Sequence, residues 1–459
     1  MTIASKRKLS CFLIVLAAVT LVMLIEHVGF LGGIDTYIYD TSLRIRGSRT
    51  VSGKIVLVAV DNRTLTRLGR WPLQRRNYAR LLDRLHQAKV VGFDLLMTEP
   101  TADDRLLAAA IQKHGKVILP VYFDDDLQPV KTLPAFAPFK TGHIHIEHGI
   151  DNVTRSMFHT LSSQNAPVSS LPSVMYETVT GTALERQAAA GGTIKQQHDR
   201  RLLQLDLRKI NFYGPPGSFT QLSLVDVLDG SYPEQFFSGK AVLVGLTAPG
   251  IVDEIATPFS QNRNMMFGVE VLANVLNNLL EGNSIKEFAD WKRQMVALLA
   301  SFALCVAFMR LNEKKATLLL TFALVMTAFG TYILISVFDF WLSPSLFLVS
   351  FSLVFFISYL YNLDSAAREL DSEYSAVTSL LGWENGESTA STPGGGLFGL
   401  LSTDSIHGKI QRLIWVEHHY GKTLEETVEQ RTRDLSAALA MINSMSNEMI
   451  LRLTRAVES

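Results

Sequence analysis

KIVLVAVD, from Lys54 to Asp61, decides how the chain reads: a β-branched apolar run with no polar position between its terminal charges. A strand of that kind has both faces covered, the mark of a sheet with helices on either side. The pattern returns in VVGFDLLM (Val90 to Met97), KVILPVYF (Lys116 to Phe123) and KAVLVGLT (Lys240 to Thr247), with LRKINFYG (Leu207 to Gly214) a further strand candidate. Helical patterns fall between and after them: YARLLDRLHQ (Tyr78 to Gln87), DDRLLAAAIQKH (Asp103 to His114) and GVEVLANVLNNLLEG (Gly268 to Gly282). Strands separated by helices predict an α/β domain with a mixed or partly parallel sheet.

The rest of the chain is of a different material. Of 459 residues, 47% are hydrophobic and only 19% charged, too apolar for an ordinary soluble protein and too polar for membrane helices alone. Lys plus Arg (43) cancels Asp plus Glu (43), which excludes a strongly basic nucleic-acid binder and an acidic disordered chain. The apolar residues gather in four blocks: Leu9 to Ile25, Gln294 to Met309, Ala316 to Phe338 and Ser343 to Tyr361. Blocks approaching about 20 residues cross a bilayer as helices. A cleaved signal peptide competes for the first, but Glu26-His27-Val28 offers no small-x-small cleavage site. Lys6, Arg7 and Lys8 would share the cytoplasmic side with Arg310, Lys314 and Lys315, while Lys292 and Arg293 count against that orientation.

The predicted layout is a cytoplasmic N-terminus and first span over 1–30, an extracytoplasmic domain over 31–290 and three spans over 294–361. A cytoplasmic flexible linker over 362–415 and a signalling helix over 416–459 complete it, with both termini in the cytoplasm. Cys11 and Cys305 both fall in spans. The exported segment therefore has neither a disulfide nor a cysteine-based metal site.

Candidate site residues are few. Asp61 and Asp94 end strand candidates, and Thr247 and Asp253 lie in the stretch that ends a third. Groups at the carboxyl ends of parallel strands face the usual ligand crevice, so these four could bind a cation or polar ligand. Capping of helices and turns is the plainer reading, since Asp does that well. Arg75 and Arg76 stand before a helix, where they could meet an anionic ligand or simply be exposed. In GHIHIEHG, His143, His145 and Glu147 are two residues apart, so one strand face would carry all three. That set could ligate a transition metal ion or respond to acidification, although a solvated strand face is the commoner case. The exported segment carries no nucleophile elbow, phosphate loop or His-Glu-x-x-His helix, so it reads as a binder.

Taken in order, DTSLRIRG, VLVAVDNRTLTRLGRWPLQRRNYARLLDRL, VVGFDLLMTEP, GHIHIEHGIDNVTR, INFYGPPGSFTQLSLVDVLDG and GKAVLVGLTAPGIVDEIATPF resemble the second class of CHASE extracellular sensor domains. The likeness runs from Asp40 to about Gly282. It implies a bacterial inner-membrane receptor with one helix before the sensor and three after it, responding to an extracytoplasmic ligand of unknown identity. It secures no binding residue and no cofactor.

In the tail, Val428, Arg431, Leu435, Ala438, Ile442, Met445 and Met449 alternate steps of three and four, a coiled-coil seam that predicts a homodimer. Leu424 to Ser459 resembles the linker entering an HD-GYP domain, the cyclic di-GMP phosphodiesterase module. No metal-ligand motif of that module follows, so the expectation is a receptor truncated before its output, not an enzyme in itself. Output through a histidine kinase or cyclase module, or a scaffold that senses nothing, are the alternatives.

Overall fold

The computed structural model describes residues 3–380 apart from 125, 131–132, 164–165, 186–192, 198–199, 252–253 and 261–263, together with 422, 425–426, 428–437, 439–441 and 443–444. Residues Met1–Phe356 form one compact unit and Ile357–Ser459 a second.

The strands legible in the sequence form the centre of the first unit. β1 (Ile55–Val60), β2 (Val90–Asp94) and β3 (Val117–Val121) are followed by β4 (Lys140–His143), while β9 (Thr220–Ser223) and β10 (Ala241–Leu246) come from much later in the chain. Together they make a six-stranded sheet in the order β4-β3-β2-β10-β1-β9, with every pairing parallel. The expectation of a mixed or partly parallel sheet is sharpened accordingly. A separate antiparallel sheet, β6-β5-β8-β7, is built from β5 (Ser156–Ser163), β6 (Ala166–Ser169), β7 (Thr193–Gln197) and β8 (Arg200–Lys209). Here the prediction is corrected: Leu207–Gly214 is not one strand, because β8 ends at Lys209 and the chain then leaves the ladder.

Helices cover the parallel sheet on both faces. On one face lie α3 (Asn62–Leu68), α4 (Arg75–Arg84), α5 (Asp104–His114) and α7 (Leu224–Leu228); α6 (Leu171–Thr180) and α8 (Gly268–Glu281) lie on the other. Side chains alternate across a strand, so β1 sends Val56, Val58 and Val60 towards Leu81, Leu107 and Val227, and Ile55 and Leu57 towards Met175 and Leu272. Burying such a side chain contributes roughly 1.5–3 kcal/mol, which lets a cysteine-free body hold together by its core.

The apolar helices complete the unit. α1 (Ile3–His27) runs into α2 (Gly32–Arg46) through a bend of 80°. α9 (Asp290–Phe308), α10 (Glu313–Val337) and α11 (Ser345–Leu380) are each long and apolar enough to cross a membrane, as is the first pair if counted as one. Four two-residue strands remain: β11 (Glu254–Ile255) pairs with β12 (Met266–Phe267), and β13 (Lys286–Glu287) with β14 (Phe340–Trp341). In the second unit, residues 428–437 are helical, whereas Ala438, Ile442, Met445 and Met449 of the expected seam lie outside the described residues.

Candidate functional site

The sheet's topology places the site. The chain leaves β1 and β2 towards helices on the first face and leaves β10, which lies between them, towards α8 on the second. Diverging connections open a crevice beyond the carboxyl ends of the strands. Asp94 stands level with Gly245 of β10, and Thr247 follows two residues later, its amide bonded to the Val60 carbonyl at 3.1 Å. Asp94 and Thr247 are thus brought to one edge, on either side of the same strand end.

Asp94 is the group there that nothing engages. It is part-exposed and has no hydrogen-bond or ion-pair partner among the described residues. Burial of its surroundings pushes the carboxyl up from its ordinary 3.8 to about 7. The first residue of α8, Gly268, lies beside it: a methyl group there would stand 3.6 Å from Asp94 Oδ2. On the same edge, Leu96, Thr98, Leu119, Tyr122 and Phe136 line a small hollow of about 20 Å³, room for one water. Thr247 is buried, and its hydroxyl accepts from Gln221 Nε2 at 3.4 Å.

Three other candidates have partners within the protein. Asp61 caps α3: its Oδ1 accepts from the Thr64 amide at 2.9 Å, the Thr64 hydroxyl at 2.8 Å and the Ser223 hydroxyl at 2.8 Å. Arg75 is buried, donates to Asp104 at 2.6 Å and to the Glu99 carbonyl, and stands over the Phe136 ring. Arg76 pairs with Asp103 at 3.0 Å. Asp253 lies outside the described residues.

Of the histidine stretch, His143 closes β4 while His145 and Glu147 lie beyond the strand's end. Among the described residues no group of three or more His, Cys, Asp or Glu could hold a metal ion. His145 Nε2 stands 3.8 Å from Glu147, whose carboxyl it holds below the usual range. His143 is wholly buried with neither ring nitrogen partnered, and burial holds it well below 6.5. His159, missed in the sequence, is also buried, contacts Ser173 Oγ at 2.8 Å, and is lowered by burial to about 4.

A second missed feature is the joint between this body and the apolar helices. Arg155 holds Asp40 of α2 through two 2.7 Å bonds and also binds Asp151. Asp339, at the turn after α10, accepts from Arg49 at 2.6 Å and from Asn211 Nδ2 at 2.9 Å. Asn211 in turn accepts from Arg46 at 2.6 Å, and Tyr39 meets Trp341 edge-on. Apart from Arg155–Asp151, no local spacing signals these contacts, because each joins residues more than 100 positions apart.

A helix-covered parallel sheet whose switch-point carboxylate has no partner among the described residues, tied to helices long and apolar enough to cross a membrane, is the layout of a binding domain carried on membrane-type helices. Residues 14–309 match the CHASE2 domain model, more than half of the chain, and the chain belongs to that family of receptor sensor domains. No curated protein and no solved structure matches it.

Proposed function

We propose that the chain is a dimeric bacterial inner-membrane receptor whose sensor, residues 31–290, lies in the periplasm with both termini cytoplasmic. Residues 1–30 and 294–361 supply four spans; 362–415 and 416–459 act as linker and signalling helix. The carrying observation is Asp94, a raised, partnerless carboxylate at the switch point of a parallel sheet in a CHASE2 domain. With Thr247, and with Asp253 as a candidate on its sequence position alone, it would recognise a cationic or hydrogen-bond-donating small molecule. Asp61, Arg75 and Arg76 would shape this crevice from beneath without touching the ligand.

A ligand shifts the receptor only by binding its two states unequally. The output we assign is an HD-GYP phosphodiesterase module, supported by the wording of Leu424 to Ser459. Two experiments test the reading. Alkaline phosphatase fusions should be active near Arg200 and silent at Tyr361, and the reverse result would sink the topology. Thermal shifts of the membrane-embedded chain across a panel of amines and polar metabolites should reveal a stabiliser absent in Asp94→Ala. A uniformly null panel would favour a scaffold.

A further inference from the structure

Helix α2 has two apolar faces, and only one is accounted for by the protein. Tyr39 and Leu43 are buried, and on the same side Tyr39 bonds the Ile210 carbonyl while Arg46 bonds Asn211 and the Phe212 carbonyl. At about 100° per residue these positions form one arc, and Ile34, Tyr37 and Ile45 centre about 180° away from it. Those three are 41%, 70% and 66% exposed, and Val28 and Phe30 in the turn before α2 are 82% and 81% exposed. Large apolar side chains grouped this way on one surface mark a binding face.

Three observations say what covers it. First, α2 is bent 80° from α1, so if α1 crosses the bilayer along its normal, α2 lies in the membrane plane. Second, α2 follows the turn between α10 and α11 along its whole length. Asp35 near its start accepts from the Ser343 hydroxyl, from Ser345 N at 3.0 Å and from Ser345 Oγ at 2.7 Å. Tyr39 in its middle meets Trp341, and Arg46 at its end reaches Asp339 through Asn211. Third, the same level carries exposed Trp291 at the start of α9 and exposed Phe338 at the end of α10, and an Arg293–Glu26 pair at 2.8 Å joins α9 to α1. Aromatic side chains collect at membrane–water boundaries. The sensor body sits on one side of α2, so its opposite face points at the bilayer.

We propose that α2 is an interfacial helix whose face of Ile34, Tyr37 and Ile45, continued by Val28 and Phe30, rests on the lipid surface. This inference rests on the membrane-receptor reading above. It makes the lipid boundary part of the sensor's own support, since Asp40 of α2 is the residue that Arg155 holds.

The full chain in lipid nanodiscs, with Cys11 and Cys305 replaced by serine, tests this through an environment-sensitive fluorophore on single cysteines. Tyr37→Cys and Ile45→Cys labels should be quenched by lipids spin-labelled near the headgroup at least about twofold more than an Ile150→Cys label on the sensor surface. A Val325→Cys label, on the exposed face of α10 at its middle, should be quenched by lipids labelled deep in the chain. Quenching at 325 without quenching at 37 and 45 overturns the interfacial helix alone. No quenching at 325 overturns the spanning reading beneath it. Efficient cross-linking of 37 to 37 between two copies, with no lipid effect, would assign the face to a second copy and refute the proposal.

Discussion

At the scale of single residues, the domain contains groups whose charge the fold opposes. Asp94, raised to about 7, is protonated in the folded chain between roughly pH 4 and 7 where the unfolded chain has already lost its proton. The folded state binds more protons in that window, so this residue's contribution to stability falls as pH rises through it. Asp94→Asn should therefore gain about 1–3 kcal/mol at pH 8, after discounting the full shift for partial exposure, and little at pH 4. Thermal unfolding at the two pH values measures this, and equal gains at both would show the carboxylate is not strained. His143 and His159 act with the opposite sign. Both are held neutral below 6.5, so the unfolded chain binds protons first and stability is lost as pH falls below about 6.5, for His159 towards about 4. His159→Gln, which can still bond Ser173, should flatten that acid limb by about 1–3 kcal/mol. An acid limb unchanged from wild type would remove His159 from the account. Because the two windows overlap, only the paired variants separate the effects.

At the scale of elements, closeness of approach decides what a position tolerates. Gly142 in β4 is set against the start of α6: a Cβ there would lie 2.6 Å from Leu171 Cα and 2.7 Å from its amide nitrogen. Those are backbone atoms and cannot rotate away. Gly142→Ala should cost on the order of 1–3 kcal/mol or more, read as a fall in the unfolding midpoint, whereas an unchanged midpoint would mean that α6 moves freely over β4. This glycine stands in GHIHIEHG, a stretch whose histidines drew attention as metal candidates. The strands β1, β2, β3 and β10 were legible because each is buried on both faces and so reads as one apolar run. The antiparallel sheet was not, since SMFHTLSS in β5 mixes polar and apolar residues and depends on β8, which pairs with it from across the chain. α2 escaped for a related reason: two opposed apolar faces leave no single amphipathic stripe. Of the site, the carboxylate at the end of β2 was legible as a pattern. That Asp61 is taken up by Ser223 was not, because that contact spans 162 positions and exists only once β9 lies beside β1.

At the scale of the whole molecule, a sensor is useful only if its state reaches the helices. One link runs through Asp339, where Arg49 and Asn211 from the sensor side converge on the turn joining α10 to α11. Its carbonyl also accepts from the Lys286 amide at 2.9 Å and so leads into the β13–β14 pair. The Arg49–Asp339 pair is partly exposed, so it contributes less than a buried bridge; its geometry, with a second donor from Asn211, raises it above an isolated surface pair. Asp339→Ala removes both side-chain bonds, and it also places alanine at a positive φ of 51°, a backbone setting that asparagine tolerates better. Comparing the two variants therefore separates strain from lost charge. Amides of 285–287 and 340–341 should exchange about tenfold faster in Asp339→Ala, corresponding to about 1.4 kcal/mol of local opening. Asp339→Asn should show an intermediate increase, and amides in β1 and β10 should stay at wild-type rates in both. If exchange rises equally in β1, the residue supports the whole fold. If it rises nowhere, the link between sensor and helices lies in α2 and its Arg155–Asp40 bridge instead.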